Sequence, residues 1–202
     1  MNAITATTLP AIGSPMPGGF FAGAINLNGQ RFAVILASKK QGELSGAWHE
    51  DEDDVPGAMS YNDGLTNTQA ISEAGSDLAK QALGLTIDGL NDFYIPSQDE
   101  LELCYRAFKP TTERNWCYAR SGINLSAMPP TYPYTPTFPI QTTLELFKQG
   151  GEEAFEQQWY WTSTQHAALS DHAWCQYFGY GHQYYDRKYY ELRVRAVRRQ
   201  SI

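Results

Sequence analysis

The chain has 202 residues with a net charge of −7, 42% of them hydrophobic and 13% aromatic, which suits one domain able to bury roughly 70% of its unfolded surface. That charge argues against a general binder of nucleic acid or anionic membrane, and no apolar run nears the roughly 20 residues that a bilayer crossing needs, so no membrane insertion is expected. Cys104, Cys117 and Cys175 form an odd set without CxxC spacing, so neither a disulfide framework nor a zinc site is suggested, and no cofactor is expected.

Residues 1–19, with Pro10, Pro15 and Pro17 among Thr and Gly, read as a flexible N-terminal arm suited to docking on a partner protein. They lack the basic and apolar regions of a secretory signal, so synthesis in the cytoplasm without a signal peptide is the expectation. Residues 20–202 read as a single domain. It opens with a hairpin, Phe20–Leu27 and Arg31–Ala37 about an Asn28-Gly29 type I′ turn. A loop from Ser38 to Asn62 follows, with an acidic run at Glu50 to Asp54 that lacks the spacing of a calcium loop.

Thr66 to Leu83 has apolar residues at helical spacing and a stop at Gly84, which predicts one helix. A short strand at Phe93-Tyr94-Ile95 leads into Ser97-Gln98-Asp99-Glu100, a capping box that predicts a second helix over 98–108. Residues 110–139 are proline-rich loop, and Thr143–Gln149 is a short helical segment. Trp159–Thr164 and Ala173–Phe178 read as strands, and Leu192–Val197 closes the sheet. Helices early and short strands late give an α+β domain.

Between Tyr177 and Tyr190 stand six of the thirteen tyrosines, interleaved with His182, Asp186 and Arg187. The stretch is too polar and glycine-broken for a buried strand and too aromatic for an ordinary loop. Tyrosine offers a large, stiff contact area at low entropy cost, so recognition surfaces concentrate it. The bland alternative is tyrosines lying across a sheet with satisfied hydroxyls. His166, Asp171 and His172 read as exposed loop residues rather than a metal site, the alternating arginines at 193 and 195 as a two-faced strand, and Trp159, Trp161 and Trp174 as core.

Gly18–Gly23, Pro56–Leu65, Phe93–Leu101, Trp159–Thr164 and Arg193–Arg199 together resemble phage and prophage proteins of the Lcl-type C-terminal domain family, which includes variable proteins of diversity-generating retroelements. The resemblance implies a C-type-lectin-like domain with two main helices and short, mostly antiparallel strands, residues 159–202 carrying a hypervariable ligand-binding face. It implies a non-enzymatic receptor-recognition role toward a macromolecular ligand, a cell-surface protein or glycan, with association in a virion tail or an oligomer. Retroelements of that kind turn asparagine codons into NNY codons. The residues those codons permit here are Cys175, Tyr177, Tyr180, His182, Tyr184, Tyr185, Asp186, Arg187, Tyr189, Tyr190 and Leu192, the expected ligand-binding set. Trp174, Gln176, Gln183, Lys188 and Glu191 are excluded by them and would be framework, with Trp174, Gln176 and Phe178 facing the core and Cys175 and Tyr177 facing outward. The same fold resemblance extends to the formylglycine-generating enzyme, so an oxidoreductase is the first alternative. A structural virion protein is the second.

Overall fold

The computed structural model describes residues 9–202; the first eight residues of the expected arm lie outside the described residues. From Gly13 onward that arm belongs to the domain. Gly13 N donates to Phe21 O at 2.8 Å, and β1 (Pro15–Met16) pairs with the start of β2 (Gly19–Leu27). Backbone pairing, which proline allows at a sheet edge, holds what its composition suggested would be loose. β2 and β3 (Gln30–Ala37) form the predicted hairpin, with Asn28 at φ 51° and Gly29 at φ 84°. A type I′ turn needs positive φ at both central residues, which Asn and Gly tolerate best.

The expected loop of 38–62 contains a helical turn, α1 (Lys39–Gly42), and a strand, β4 (Glu43–Ala47). The single helix predicted over 66–83 is two, α2 (Gly64–Glu73) and α3 (Asp77–Leu83). Gly75, at φ 120°, breaks the run, and the Ser76 hydroxyl caps α3 through Ala79 N at 3.2 Å while donating to Trp48 O at 2.7 Å. A serine able to cap a new helix outweighs the apolar periodicity that runs through it.

The capping box forms as expected on α4 (Gln98–Phe108). Unlike a surface helix, α4 also buries Gln98, Asp99, Glu100 and Glu102. The proline-rich stretch wraps over this polar side. Ser126 donates to Asp99 at 2.7 Å, Asn124 to Glu102 at 2.8 Å, and Tyr134 to Glu102 at 3.0 Å. Side chains rather than periodic structure order this long connection. A 3₁₀ turn at Glu145–Phe147 replaces the expected short helix.

The chain then forms β5 (Trp159–Gln165), β6 (His172–Tyr177), β7 (Gln183–Arg187), β8 (Glu191–Arg195) and β9 (Val197–Ser201). One sheet has the order β1-β2-β3-β9 and the other β4-β8-β5-β6-β7, with every pairing antiparallel except β5 against β8. The α+β class therefore holds. One core cluster joins β2–β3 to α4, Tyr160 and Phe178; another joins α2 and α3 to Trp48, Trp161, Cys175 and Val194.

The expected closing strand is two strands in different sheets, separated at buried Ala196. There Ala196 N donates to Gly42 O and Ala37 N to Ala196 O, each at 2.9 Å, where the sheets meet. The arginines around this crossing are all paired. Arg195, fully buried, bonds Ala37 O at 3.0 Å and Glu153 Oε2 at 3.1 Å, Arg198 pairs with Asp92 at 2.7 Å, and Arg199 with Asp63 at 2.8 Å. They are braces between layers.

Candidate ligand-contact face

β6 and β7 meet through a tight connection, residues 178–182, that turns the chain at Gly181. Gly181 has φ 76°, and a Cβ there would run into the Tyr105 ring, so only glycine fits. Phe178 is buried beneath, its ring stacked at 3.8 Å on Phe155. Thr111 Oγ1 donates to Gly179 O, and Trp116 N donates to Tyr180 O at 2.8 Å, which ties this connection to the proline-rich loop. The rings above it therefore stand on backbone that is fixed from both sides.

Four of the expected contact residues converge here. The His182 ring lies 4.4 Å from Trp116, 5.4 Å from Trp159 and 5.3 Å from Tyr184. Tyr177 sits 4.7 Å from Tyr180 and 5.4 Å from Trp159. Tyr184 is 46% exposed, Trp116 37% and Tyr118 68%, so the array opens to solvent. Partial burial lowers the pKa of His182 below its ordinary value, keeping the ring neutral near pH 7. A groove of about 360 Å³ runs beside Trp159 and Tyr177, walled by Glu191, Leu192 and Arg193.

The remaining positions distribute around this centre. Tyr185 turns to the opposite side of β7, 5.5 Å from Trp174 and 4.4 Å from His166, yet its ring stacks on Tyr184 at 4.8 Å around the sheet edge. Asp186 is half-buried on β7 and paired in register with Ala173. Arg187 is exposed and reaches Glu52 at 3.3 Å and Asp171 at 3.5 Å. Tyr189 and Tyr190 are 42% and 44% exposed on the β7–β8 turn, paired edge to face and apart from the central array. Leu192 is half-buried and packs on the second core cluster.

Cys175 does not belong to the face. It is 2% exposed, packed with Trp161 and Val194, and burial pushes its thiol well above the ordinary range, with the Asp186 carboxylate adding to the effect. The outward direction expected for it is corrected because β6 is covered on both sides. Ala173 and Cys175 meet the layer of α2 and α3, while Gln176 is buried on the other side and bonds the Tyr134 hydroxyl at 3.3 Å. Trp159 and Trp174, expected in the core, are half-buried; Trp159 packs on the second core cluster, and both also contribute rings to the surface. Trp116 and Tyr118 were missed by sequence reasoning. The available signal was two aromatics in a polar, aperiodic loop between Asn115 and Arg120, where no core face calls for them.

Beneath the β7–β8 turn, Lys188 is fully buried. Its ammonium donates to Asp53 O at 2.6 Å and Gln165 Oε1 at 2.7 Å, and lies 4.8 Å from the centre of the Trp48 ring. Desolvation lowers its pKa to about 8 despite Asp54, Asp171 and Asp53 nearby. This lysine fastens the acidic loop to the turn that carries Tyr189 and Tyr190. His172 and Asp171 pair at 2.6 Å, and no group of three or more His, Cys, Asp or Glu among the described residues is arranged to hold a metal ion.

Residues 44–198 match the family model described as the Lcl C-terminal domain. No curated protein and no solved structure matches the chain.

Proposed function

The chain belongs to the Lcl C-terminal domain family, and from that premise we propose that it is a non-enzymatic binding module with a C-type-lectin-like scaffold, encoded by a phage or prophage. Its ligand is a macromolecule on a cell surface. The observation that carries this reading is the continuous array of solvent-facing rings, Trp116, Tyr118, Trp159, Tyr177, Tyr180, His182 and Tyr184, held on a fixed backbone. Exposed aromatics lose contact with water when covered, and a rigid platform limits the entropy lost on binding. Exchange of Tyr177, Tyr180, His182 and Tyr184 changes what is bound without disturbing the buried residues that hold them, which suits diversification by a retroelement. Display in several copies on a virion raises avidity.

Burial of two of the three thiols, with half-buried Cys117 left without a cysteine partner, supports a non-enzymatic reading. Cys104 and Cys175 are buried, and desolvation raises both thiols far above neutrality, which disfavours the thiolates that cysteine oxidation chemistry requires. The test is adsorption of labelled protein to intact bacterial cells. Wild type adsorbs, and the combined Tyr177→Ala/Tyr184→Ala/Trp116→Ala variant keeps its fold and loses adsorption. Equal adsorption by both proteins refutes the reading. At the gene, a neighbouring reverse transcriptase with an adenine-rich near-copy of the 3′ end supports retroelement diversification.

A further inference from the structure

The charges along β7, the β7–β8 turn and the start of β8 are lopsided. Glu50 to Asp54, exposed throughout, are fastened beside the Tyr189–Tyr190 turn by Lys188. Asp186 follows Tyr184 on the same side of β7, and exposed Glu191 walls the groove beside Trp159 and Tyr177. The cations of β7, the β7–β8 turn and β8 are already engaged, whereas Arg114, exposed two residues before Trp116, pairs with no carboxylate among the described residues. Lys188 is buried, Arg187 is held by Glu52 and Asp171, and Arg193 pairs with Glu43 and bonds Gln158 at 2.8 Å. Glu191, by contrast, pairs with no cation among the described residues.

Resting on the proposed binding role of this face, we propose that its occupant is a cationic segment of a partner polypeptide, with Lys and Arg side chains seated against the tyrosine and tryptophan rings. Two forces act together at such a surface. The ring faces attract a guanidinium or ammonium group through their quadrupoles, and the flanking carboxylates attract the same charge at longer range. Anionic ligands, such as sulfated or sialylated glycans, meet uncompensated carboxylates at the approach. Arginine and lysine also bring long alkyl stems that cover the exposed rings.

A random-peptide display library, selected on immobilised wild-type protein and then counted for binding to Tyr177→Ala/Tyr184→Ala, tests this directly. The proposal expects tyrosine-dependent peptides enriched in Lys and Arg over the starting library, with binding that weakens as salt rises. It also expects Asp186→Asn/Glu191→Gln to bind those peptides roughly fivefold more weakly while its far-ultraviolet spectrum stays unchanged. Tyrosine-dependent peptides without basic enrichment, or tyrosine-dependent retention of uncharged glycans in place of peptides, overturn the cationic occupant and leave the binding face standing. Peptides that bind wild type and the tyrosine variant alike overturn the face itself.

Discussion

Replacing Lys188 with methionine gives a stability change that grows with pH. The side chain is fully buried with its ammonium over the Trp48 ring, and burial of its alkyl stem contributes about 3 kcal/mol. Its bonds to Asp53 O and Gln165 Oε1 contribute about 1 kcal/mol each. Against these stands the burial of the charge. The ammonium titrates at about 8 in the folded chain against an ordinary value of 10.5, which corresponds to about 3 kcal/mol lost at neutral pH. Methionine keeps most of the packing but leaves Asp53 O unpaired, at about 2 kcal/mol, whereas Gln165 Oε1 still accepts from Val55 N at 2.8 Å.

Lys188→Met therefore costs only about 1 kcal/mol at pH 7, a melting-temperature drop of about 2–4 °C for a chain of this size. Between pH 8 and 10.5 the unfolded chain holds this proton more tightly than the folded one, so unfolding takes up a proton and wild-type stability rises with pH through that window. The variant lacks this rise, and its deficit reaches about 4 kcal/mol by pH 10.5. Urea unfolding of both proteins across that range measures the difference, in which the tyrosine titrations common to both proteins cancel. A deficit that stays constant or shrinks as pH rises refutes the account of Lys188 as a desolvated charge.

Further predictions concern the division between face and framework. Cys175→Tyr, a change that NNY codons permit, forces a ring into a filled site and costs about 3 kcal/mol or more, read as lost protease resistance. The reciprocal exchange on the face, Tyr184→Cys, stays within about 0.5 kcal/mol. In the native protein Cys117, half-buried, reacts with an aromatic disulfide reagent, while Cys104 and Cys175 react only after denaturation. Rapid reaction of all three contradicts the burial described for them. Arg195→Ala leaves Glu153 and Ala37 O without their buried partner and costs about 3–5 kcal/mol by thermal unfolding.

Local signals carried much of the fold. Asn28-Gly29 and Ser97 to Glu100 are short motifs whose geometry is decided within a few residues, and both form as expected. The break at Gly75-Ser76 was legible too, but apolar periodicity across 66–83 masked a competing cap. The transfer of the chain between sheets at Ala196 was not legible, because it depends on Ala37 and Gly42 meeting that point from far away in sequence.

For the face, alternation along β6 misplaced Cys175, since a strand covered on both sides has no outward direction for that residue. The residues that NNY codons exclude divide: Gln176, Gln183 and Lys188 are buried, while Trp174 is half-buried. Glu191 is exposed, so codon exclusion alone does not mark a buried brace. Trp116 and Tyr118 came from a loop without periodicity, which the bonds from Trp116 N to Tyr180 O and from Thr111 Oγ1 to Gly179 O hold against the β6–β7 connection.

The surface aromatics are held by the fold and do not hold it. The most direct measurement is a saturation library over residues 171–192, displayed and sorted for protease resistance. Substitutions at Tyr177, Tyr180, Tyr184, Tyr189 and Tyr190 are predicted to survive the sort broadly, while those at Cys175, Gln176 and Gly181 are depleted. Depletion of the tyrosine substitutions to the same extent as those at Cys175 and Gly181 would make the array part of the core and contradict the claim.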